Sequence, residues 1–263
     1  MKVSPKFNLT WAASKFQDYI FSWWQYHKRD LPWRRTYDPY KILVSEVMLQ
    51  QTQVERVLPK YDEFLYFFPD VYTLARATPA KVLKLWRGMG YNRRALYLRK
   101  AAQKIIELHR GYFPENESDL VKLPGVGTYT ARAILVFAYK KDIAMVDTNI
   151  RKIITHFFFN GIFQKENVIL QVADKLLPKG RSWEWHQALM DYGSQVRGTN
   201  GKKQKPFKNS NRYFRGRVVD RLREGAITEK DLNVKPQIIE SLIRDGLVVR
   251  GKDNMLRLPD AKT

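Results

Sequence analysis

Apolar residues recur at helical spacing from Leu9 to about Val196, and short Gly-, Pro- or polar-rich stretches interrupt them. This region shows no sustained alternation that would predict strands, and no fixed-period repeat. The pattern therefore predicts a mainly α-helical body. The predicted helices are Leu9–Lys28, Tyr40–Pro59, Lys60–Phe67, Pro79–Leu85, Arg93–Leu108, Glu117–Lys122, Thr128–Tyr139, Thr148–Phe158, Lys165–Leu177 and Trp183–Val196.

A change of composition follows this helical body. Residues Arg197–Lys208 are rich in Gly and Lys without an apolar period, which predicts a loop or linker. Beyond it, Arg212–Pro259 is predicted to contain helices at Phe214–Arg223 and Pro236–Asp245, and then a hairpin that turns at Gly251–Asn254. This order is typical of a small winged-helix module, whose role is either DNA contact or packing against the main body.

The sequence is strongly basic, since 47 Lys and Arg residues against 26 Asp and Glu residues give a net charge of +21. Such an excess attracts polyanions, because each neutralised phosphate releases condensed counterions. Without a lipid-anchor motif or a basic amphipathic anchor, the sequence favours nucleic acid over a membrane surface as the partner. No apolar run approaches the roughly 20 residues of a bilayer span, and the N-terminus lacks the apolar segment of a secretory signal. We therefore expect a cytoplasmic protein associated with the nucleoid.

The sequence contains no cysteine, which excludes disulfides, thiolate catalysis, cysteine zinc sites and cysteine-ligated iron–sulfur clusters. The four histidines, His27, His109, His156 and His186, are not spaced as metal ligands. Each is interpreted as a surface or core residue. We therefore expect no metal held by side chains.

A glycine-containing turn between two predicted helices lies in the segment Leu123–Tyr139 (LPGVGTYTARAILVFAY). Gly125 and Gly127 can take positive φ and let another backbone approach closely. The unpaired N–H groups of the helix that begins at this turn are a ready seat for a phosphate. The alternative is a tight corner between helices, whose glycines only close the turn.

Two carboxylates are candidates for the chemistry of glycosidic bond cleavage. Glu46 lies among apolar residues of Lys41–Val54, and an acid in apolar surroundings has a raised pKa, which suits a proton donor. The alternative is a solvated or ion-paired Glu at a helix edge. Asp147 is either an ordinary helix N-cap or a carboxylate that stabilises positive charge on a sugar. Cleavage of a glycosidic bond needs such a pair, although spacing alone does not pair them.

Six ordered sequence blocks resemble the helix-hairpin-helix (HhH-GPD) glycosylase superfamily, and most closely the MutY adenine glycosylases. The resemblance covers about Trp11 to Val196. The blocks are Leu31–Arg34 (LPWR), Pro39–Val54 (PYKILVSEVMLQQTQV), Leu85–Tyr91 (LWRGMGY), Leu123–Ile134 (LPGVGTYTARAI), Val146–Asn149 (VDTN) and Trp185–Val196 (WHQALMDYGSQV).

The resemblance implies a catalytic role for four residues. Glu46 would protonate a flipped adenine at N7 and then help to activate water. Asp147 would stabilise the oxocarbenium ion or a transient covalent sugar adduct, with Asn149 and Tyr129 nearby. Relatives such as endonuclease III carry at the position of Tyr129 a lysine that forms a Schiff base and cuts the strand. Because tyrosine offers no amine, we predict a monofunctional enzyme without lyase activity, which leaves an abasic site.

The resemblance also implies contacts with DNA. Gln51 and Tyr91 would wedge into the base stack where the base has left it, and Trp33, Arg34 and Asp191 resemble residues that line the adenine pocket. A phosphate would be held by backbone amides of the hairpin, often beside a monovalent cation bound to its carbonyls. The hairpin residues concerned are Gly125, Val126, Gly127 and Thr128.

The sequence departs from the family pattern at several places. Relatives usually carry four cysteines after the DYGSQV helix, which ligate an iron–sulfur cluster, whereas here a cysteine-free basic loop begins at Arg197. The C-terminal module is too short for the large domain with which adenine enzymes read 8-oxoguanine. Thr148 replaces a glycine, and Asn92 replaces a tyrosine. We therefore expect no iron–sulfur cluster, and these changes bear on the opposite-base preference.

These observations predict a mainly α, two-subdomain glycosylase fold with a catalytic cleft between the subdomains and a winged-helix-like C-terminal α/β module. The expected function is removal of adenine opposite 8-oxoguanine or G from double-stranded DNA by a monomer. One alternative is a thymine or uracil glycosylase that acts on G mismatches, and another is a non-catalytic DNA-binding protein. The predicted divisions are 1–30 (an N-terminal helix packed on the second subdomain), 31–139 (a subdomain with the hairpin), 140–196 (the second subdomain), 197–211 (a basic loop) and 212–263 (the C-terminal module).

Overall fold

A computed structural model describes residues 9–196 and 207–260, and it confirms a mainly α-helical chain. Most of the predicted basic loop therefore lies outside the described residues. Within them the helices are α1 Leu9–His27, α2 Pro39–Leu49, α3 Val54–Phe67, α4 Val71–Arg76, α5 Pro79–Leu85, α6 Arg93–His109, α7 Glu117–Leu120, α8 Thr128–Phe137, α9 Thr148–Phe159, α10 Glu166–Leu176, α11 Ser182–Gln195, α12 Asn211–Glu224 and α13 Pro236–Arg244. The strands are β1 Val249–Arg250 and β2 Leu256–Arg257.

Two predicted helix boundaries are wrong. The segment predicted as one helix, Tyr40–Pro59, is broken after Leu49, and Pro59 lies inside α3. Proline normally marks a helix boundary because it lacks an N–H group, but here α3 continues through Pro59 to Phe67. The short helix α4 was not predicted. Its N-cap is Asp70, whose side chain accepts a hydrogen bond from the Thr73 amide at 2.8 Å.

The described residues form two compact units. The first unit comprises residues 9–39, 115–117 and 128–196, and the second comprises 40–114, 118–127 and 207–260. This division differs from the predicted boundary at residue 139, because α8 belongs to the first unit. Arg132 in α8 explains the difference, since it donates hydrogen bonds to the Ala144 carbonyl at 2.9 Å and to Glu117 at 3.0 Å.

The core of the first unit is formed by α1, α9, α10 and α11. Phe16 of α1 packs edge-on against Trp185 of α11, with ring centroids 5.8 Å apart. Such edge-to-face contacts are favourable beyond the area they bury. The prediction that the N-terminal helix packs on the second helical subdomain agrees with this core. Its fully buried aliphatic residues include Ile20, Ile150, Ile153, Ile154 and Ile169.

The second unit buries the apolar faces of α2 to α6. Phe64 of α3 and Trp86 meet edge-on at 5.9 Å, and both side chains are buried. The adjacent aliphatic side chains are also buried, and their removal from water is the main favourable term for such helices. They include Ile42, Leu43, Val57, Leu74, Leu83 and Leu98.

The C-terminal module has the predicted order of two helices and a hairpin. Val249 pairs with Arg257 and Arg250 with Leu256 in an antiparallel register, and the Asn254 amide donates to the Gly251 carbonyl at 3.0 Å in the predicted turn. The module belongs to the second unit. The Ala80 amide donates to the Pro259 carbonyl at 2.8 Å, so the module packs against α5.

No described helix is long and apolar enough to cross a bilayer.

Candidate functional site

Asp147 is the N-cap of α9 in the first unit. One of its carboxylate oxygens accepts a hydrogen bond from the Ile150 amide at 2.6 Å, and the other accepts one from the Asn149 side chain at 3.1 Å. The Asn149 oxygen in turn accepts a hydrogen bond from Lys152 at 3.1 Å. The structure therefore brings together two predicted catalytic residues, Asp147 and Asn149, and adds a lysine that sequence reasoning missed.

The pKa of Asp147 is raised above 3.8, and burial is the main cause. Hydrogen bonds from Ile150 and Asn149 and the positive charge of Lys152 oppose this effect. The carboxylate thus lies in a poorly solvated position in which a nearby positive charge stabilises its ionised form. This environment is suited to stabilising a cationic sugar, because an electrostatic interaction is stronger where water is excluded.

Two residues of α11 support the segment that carries Asp147. The fully buried His186 accepts a hydrogen bond from the Met145 amide through Nε2 at 3.1 Å, and its Nδ1–H donates to the Ser182 carbonyl at 2.7 Å. Burial lowers the pKa of His186 to about 4, so its ring is neutral at pH 7. A Cβ atom at Gly193 would lie 2.6 Å from the Asn149 carbonyl oxygen, so only glycine permits this approach. From the sequence, His186 was interpreted only as a surface or core residue, and Gly193 was given no role.

Asp191 and Arg34, both predicted to line a base pocket, pair with each other in the first unit. Two Arg34 nitrogens donate to the two oxygens of Asp191 at 2.7 and 2.8 Å. Arg29 and Trp24 donate to the same carboxylate at 2.6 and 2.9 Å. Burial acts to raise the pKa of Asp191, but the hydrogen bonds and the charge of Arg34 outweigh it, so the pKa lies below 3.8. The contacts indicate a structural ion-pair network. Trp33 is partly buried in the adjacent short turn of 3₁₀ helix.

Glu46 lies in α2 of the second unit and has an exposed fraction of only 7%. Its neighbours Val44, Val47 and Met48 are buried as well. The apolar surroundings predicted from the sequence are therefore confirmed.

Gln51 and Tyr91, the two predicted wedge residues, lie in loops of the second unit. Both are exposed and both have positive φ, 53° at Gln51 and 47° at Tyr91. Positive φ is strained for residues with a side chain and persists only where surrounding contacts impose it.

Arg94 supplies those contacts. Its guanidinium donates to the Val47 and Met48 carbonyls at 2.8 and 2.9 Å, and also to the Gln50 carbonyl. The other guanidinium nitrogen donates to the Met89 and Gly90 carbonyls at 3.0 and 3.1 Å. One buried side chain thus joins the end of α2 to the loops that carry Gln51 and Tyr91, which we call the wedge loops. Burial lowers the pKa of Arg94 to about 10, which leaves it charged at pH 7.

The glycine-containing hairpin lies between α7 and α8. Gly125 has φ +80°, and a Cβ atom there would lie 2.8 Å from Cβ of Tyr97. Gly127 does not have positive φ, so only Gly125 uses that conformational freedom, and the missing side chain of Gly127 faces open space. The Val126 amide donates to the Leu123 carbonyl at 3.1 Å and therefore closes the turn. Thr128 is exposed and begins α8.

Tyr129 lies one residue into α8 in the first unit. It is partly buried and packs against a small apolar cluster that contains Ala133, Val136 and Met145. The cluster connects Tyr129 with the segment that leads to Asp147.

Comparison with known proteins places the chain in a family. The family model of HhH-GPD superfamily base excision DNA repair proteins matches residues 44–179, and the chain belongs to this family. Adenine DNA glycosylase of Mycolicibacterium smegmatis is 32% identical, with 91% of this chain and 94% of that protein covered. Thymine/uracil-DNA glycosylase of Methanothermobacter thermautotrophicus is 31% identical, with 69% and 84% covered. The solved structure of a thermostable thymine-DNA glycosylase has a TM-score of 0.67 and 29% identity, with 73% and 90% covered. The predicted superfamily and fold are confirmed.

Proposed function

We propose that the chain is a monofunctional DNA glycosylase that removes adenine mispaired with 8-oxoguanine or G. The observation that carries the proposal is the Asp147 site, where both carboxylate oxygens are held and Lys152 favours the ionised form. The adenine specificity is supported by the similarity to the M. smegmatis adenine glycosylase, which extends over 91% of this chain. A mispaired base is flipped more easily than a paired one, which supplies part of the selectivity.

The proposed reaction begins with departure of the base. Glu46 donates its proton to N7 of the flipped adenine while the bond between C1′ and N9 breaks and its electron pair leaves with the base. The carboxylate of Asp147 stabilises the positive charge that develops on the sugar.

Water completes the reaction. The Glu46 carboxylate accepts a proton from the attacking water, whose oxygen bonds to C1′, so that Glu46 is returned to its acid form and the product is an abasic site. Tyr129 offers no amine for a Schiff base, and strand cleavage by that route is therefore not proposed.

No iron–sulfur cluster takes part in this proposal. These 263 residues provide no cysteine thiolate, so the chain does not fit the cluster that its relatives usually hold. The described residues also contain no cluster of three or more His, Asp or Glu side chains that could hold a metal ion. A monovalent cation at the hairpin carbonyls stays a prediction.

The second candidate function is removal of thymine or uracil opposite G. It is supported by the similarity to the M. thermautotrophicus thymine/uracil enzyme and by the TM-score of 0.67 to a thymine-DNA glycosylase. The same two carboxylates would serve that reaction, so the excised base separates the candidates.

Single-turnover excision from labelled duplexes tests the proposal. The duplexes contain A opposite 8-oxoguanine, A opposite G, T opposite G and U opposite G. We expect rapid loss of A, with strand breaks only after alkali treatment. Preferential loss of T or U would favour the second candidate, and breaks without alkali would contradict the monofunctional assignment.

The variant Glu46→Gln separates catalysis from binding. It keeps the shape of the side chain but has no acidic proton, so excision is expected to fall by at least about a hundredfold while duplex affinity is retained. Unchanged excision would remove Glu46 from the mechanism. Absence of excision by the unaltered protein from every duplex would instead favour a non-catalytic DNA-binding protein.

A further inference from the structure

An arginine of the C-terminal module lies between two exposed aromatic rings of the second unit. The guanidinium carbon of Arg212 is 4.9 Å from the ring centroid of Tyr91 and 4.7 Å from that of Phe207. Arg212 also donates a hydrogen bond to the Tyr91 hydroxyl. The module therefore directly contacts one of the predicted wedge residues.

This contact is part of a longer series of aromatic and arginine side chains in contact with one another. The rings of Phe207 and Tyr213 meet edge-on at 5.6 Å. Arg217 follows, 5.6 Å from the centroid of Tyr213 and hydrogen-bonded to its hydroxyl at 2.9 Å. We call Tyr91, Phe207, Arg212, Tyr213 and Arg217 the aromatic–arginine surface.

The fold of α12 does not itself require the side chains of Arg212 and Arg217. The helix is attached to the second unit through its buried residues Val218, Val219 and Leu222, whereas Arg212 and Arg217 are exposed. Phe207 has an exposed fraction of 52% although it is a large apolar side chain. Exposed aromatic rings alternating with planar cations are the arrangement on which nucleic-acid bases stack, and guanidinium groups add a cation–π contribution.

We propose that the aromatic–arginine surface binds unstacked DNA bases next to Tyr91. The inference rests on the proposed function, in which Tyr91 enters the base stack. We assign DNA as the ligand because the surface is continuous with Tyr91 and carries positive charge. It also belongs to a chain of net charge +21. The module thus extends the contact with distorted DNA beyond the wedge.

The test compares two duplexes of the same sequence, one fully paired and one with a tetrahydrofuran abasic analogue opposite G. Affinities of the full chain are measured by fluorescence anisotropy at a fixed salt concentration. Arg212→Lys keeps the positive charge but removes the planar stacking group. It is expected to lower affinity for the abasic duplex about tenfold, which is within the range of one lost base–side-chain stack. Affinity for the paired duplex is expected to change by less than about twofold.

Arg221→Lys is the matched control. Arg221 is an exposed residue of the same helix, and it lies roughly 180° around the axis from Arg212 at ~100° per residue. We expect no change for either duplex. Phe207→Leu removes a ring without changing charge and is expected to repeat the loss seen for Arg212→Lys. Melting curves of all variants show whether each one is folded.

Three outcomes would overturn the inference. In the first, Arg212→Lys binds both duplexes with the affinity of the unaltered protein, whereas Arg212→Ala weakens binding of both duplexes equally. Arg212 would then act only as a point charge near phosphate. In the second, Arg212→Lys binds the abasic duplex more tightly than the unaltered protein does. Arg212 would then restrain Tyr91 in the free protein instead of binding DNA bases. The third is unchanged binding by Phe207→Leu.

The result can be separated from the fate of the proposed function. If the unaltered protein removes adenine but Arg212→Lys keeps its preference for the abasic duplex, the surface is refuted and the function stands. If no base is removed but the preference is lost in the variant, the surface stands without the function.

Discussion

Gly125 and Gly127 are two residues apart in the hairpin, but the protein itself requires only one of them. Positive φ and the Tyr97 side chain leave no room for a Cβ atom at Gly125, whereas nothing lies within 4 Å of a Cβ atom at Gly127. The absence of a side chain at Gly127 is thus not explained by packing. It is explained if a phosphate of DNA approaches the backbone there.

The two glycines therefore predict opposite behaviour on substitution by alanine. Gly127→Ala is expected to change the free energy of unfolding by less than about 0.5 kcal/mol and to weaken duplex binding about tenfold, because its methyl group would hold a phosphate away. Gly125→Ala is expected to lower the free energy of unfolding by more than about 1 kcal/mol. Urea unfolding and anisotropy titrations measure both quantities. Unchanged DNA affinity in Gly127→Ala would favour a corner that has no contact with phosphate.

Asp147 combines a capping role with an unfavourable burial of charge. The variant Asp147→Asn keeps the cap, because the side-chain oxygen of an asparagine also accepts a hydrogen bond from the Ile150 amide. Because the pKa of Asp147 is raised above 3.8, ionisation is disfavoured in the folded protein, and the group destabilises the fold as pH rises through that range. The variant is therefore expected to have an equal or higher Tm at pH 7 and to lose excision.

The pH dependence provides the check on this explanation. Well below pH 3.8 the carboxyl is protonated in both folded and unfolded chains, so the gain in Tm is expected to disappear there. Calorimetry of the unaltered protein and of Asp147→Asn, at pH 7 and at acid pH, measures this difference in Tm. A large loss of stability at pH 7, or normal excision by Asp147→Asn, would contradict the assignment.

Asp147 and Arg94 show what the sequence reveals about single residues. Asp147 was predictable as an N-cap because capping is local, and the VDTN block added the chemical role through resemblance. Arg94 was not predictable, because nothing in the sequence distinguishes it from the adjacent Arg93. Its hydrogen bonds to α2 join residues more than 40 positions apart in the chain, and no local sequence pattern predicts such contacts.

At the scale of the element, the same contact explains where α2 ends. The last carbonyls of a helix have no partner within it and require donors from elsewhere. Arg94 donates to those of Val47 and Met48, and its positive charge interacts favourably with the negative end of the helix dipole. The helical pattern continues through this position up to Pro59, so the break could not be predicted.

Substitution of Arg94 tests whether it positions the two wedge loops. Arg94→Lys keeps the charge, but one ammonium group cannot reach the carbonyls of both loops, and buried carbonyls without donors cost about 1–3 kcal/mol each. We expect a loss of about 2–4 kcal/mol in the free energy of unfolding and faster hydrogen exchange at residues 50–52 and 88–91. Excision is expected to fall because the wedge residues are no longer held at positive φ.

Arg93→Lys is the control for this variant, because Arg93 is the exposed neighbour on the same helix turn. It should change neither stability nor loop exchange appreciably. Hydrogen exchange of Arg94→Lys that equals that of the unaltered protein at both loops would show that Arg94 is only a core residue.

At the scale of the whole molecule, the sequence predicted the C-terminal module but not its place. Turn residues and apolar alternation are local signals, so the order of helices and hairpin was readable. Whether the module packs or stays separate depends on distant partners. Arg223 is one of them, since it donates to the Leu83 carbonyl at 2.9 Å and to the Asn92 side chain at 3.0 Å. Asn92, a departure from the family pattern, thereby gains a structural reason.

Arg223 attaches the C-terminal module to the rest of the second unit, and its substitution tests this attachment. Arg223 is buried and supplies a donor to a carbonyl at the end of α5, so Arg223→Met leaves that carbonyl and the Asn92 oxygen without their partner. We expect a loss of about 2–4 kcal/mol in the free energy of unfolding and increased proteolysis between the module and the rest of its unit.

The control is Arg221→Met, which removes an exposed arginine from the same helix. Its free energy of unfolding should stay within about 0.5 kcal/mol of that of the unaltered protein. If Asn92→Ala is added to Arg223→Met, the further loss should be smaller than that of Asn92→Ala alone, because the two residues share one contact. Additive losses would show that the side chains act independently, and the replacement at position 92 would then need another explanation.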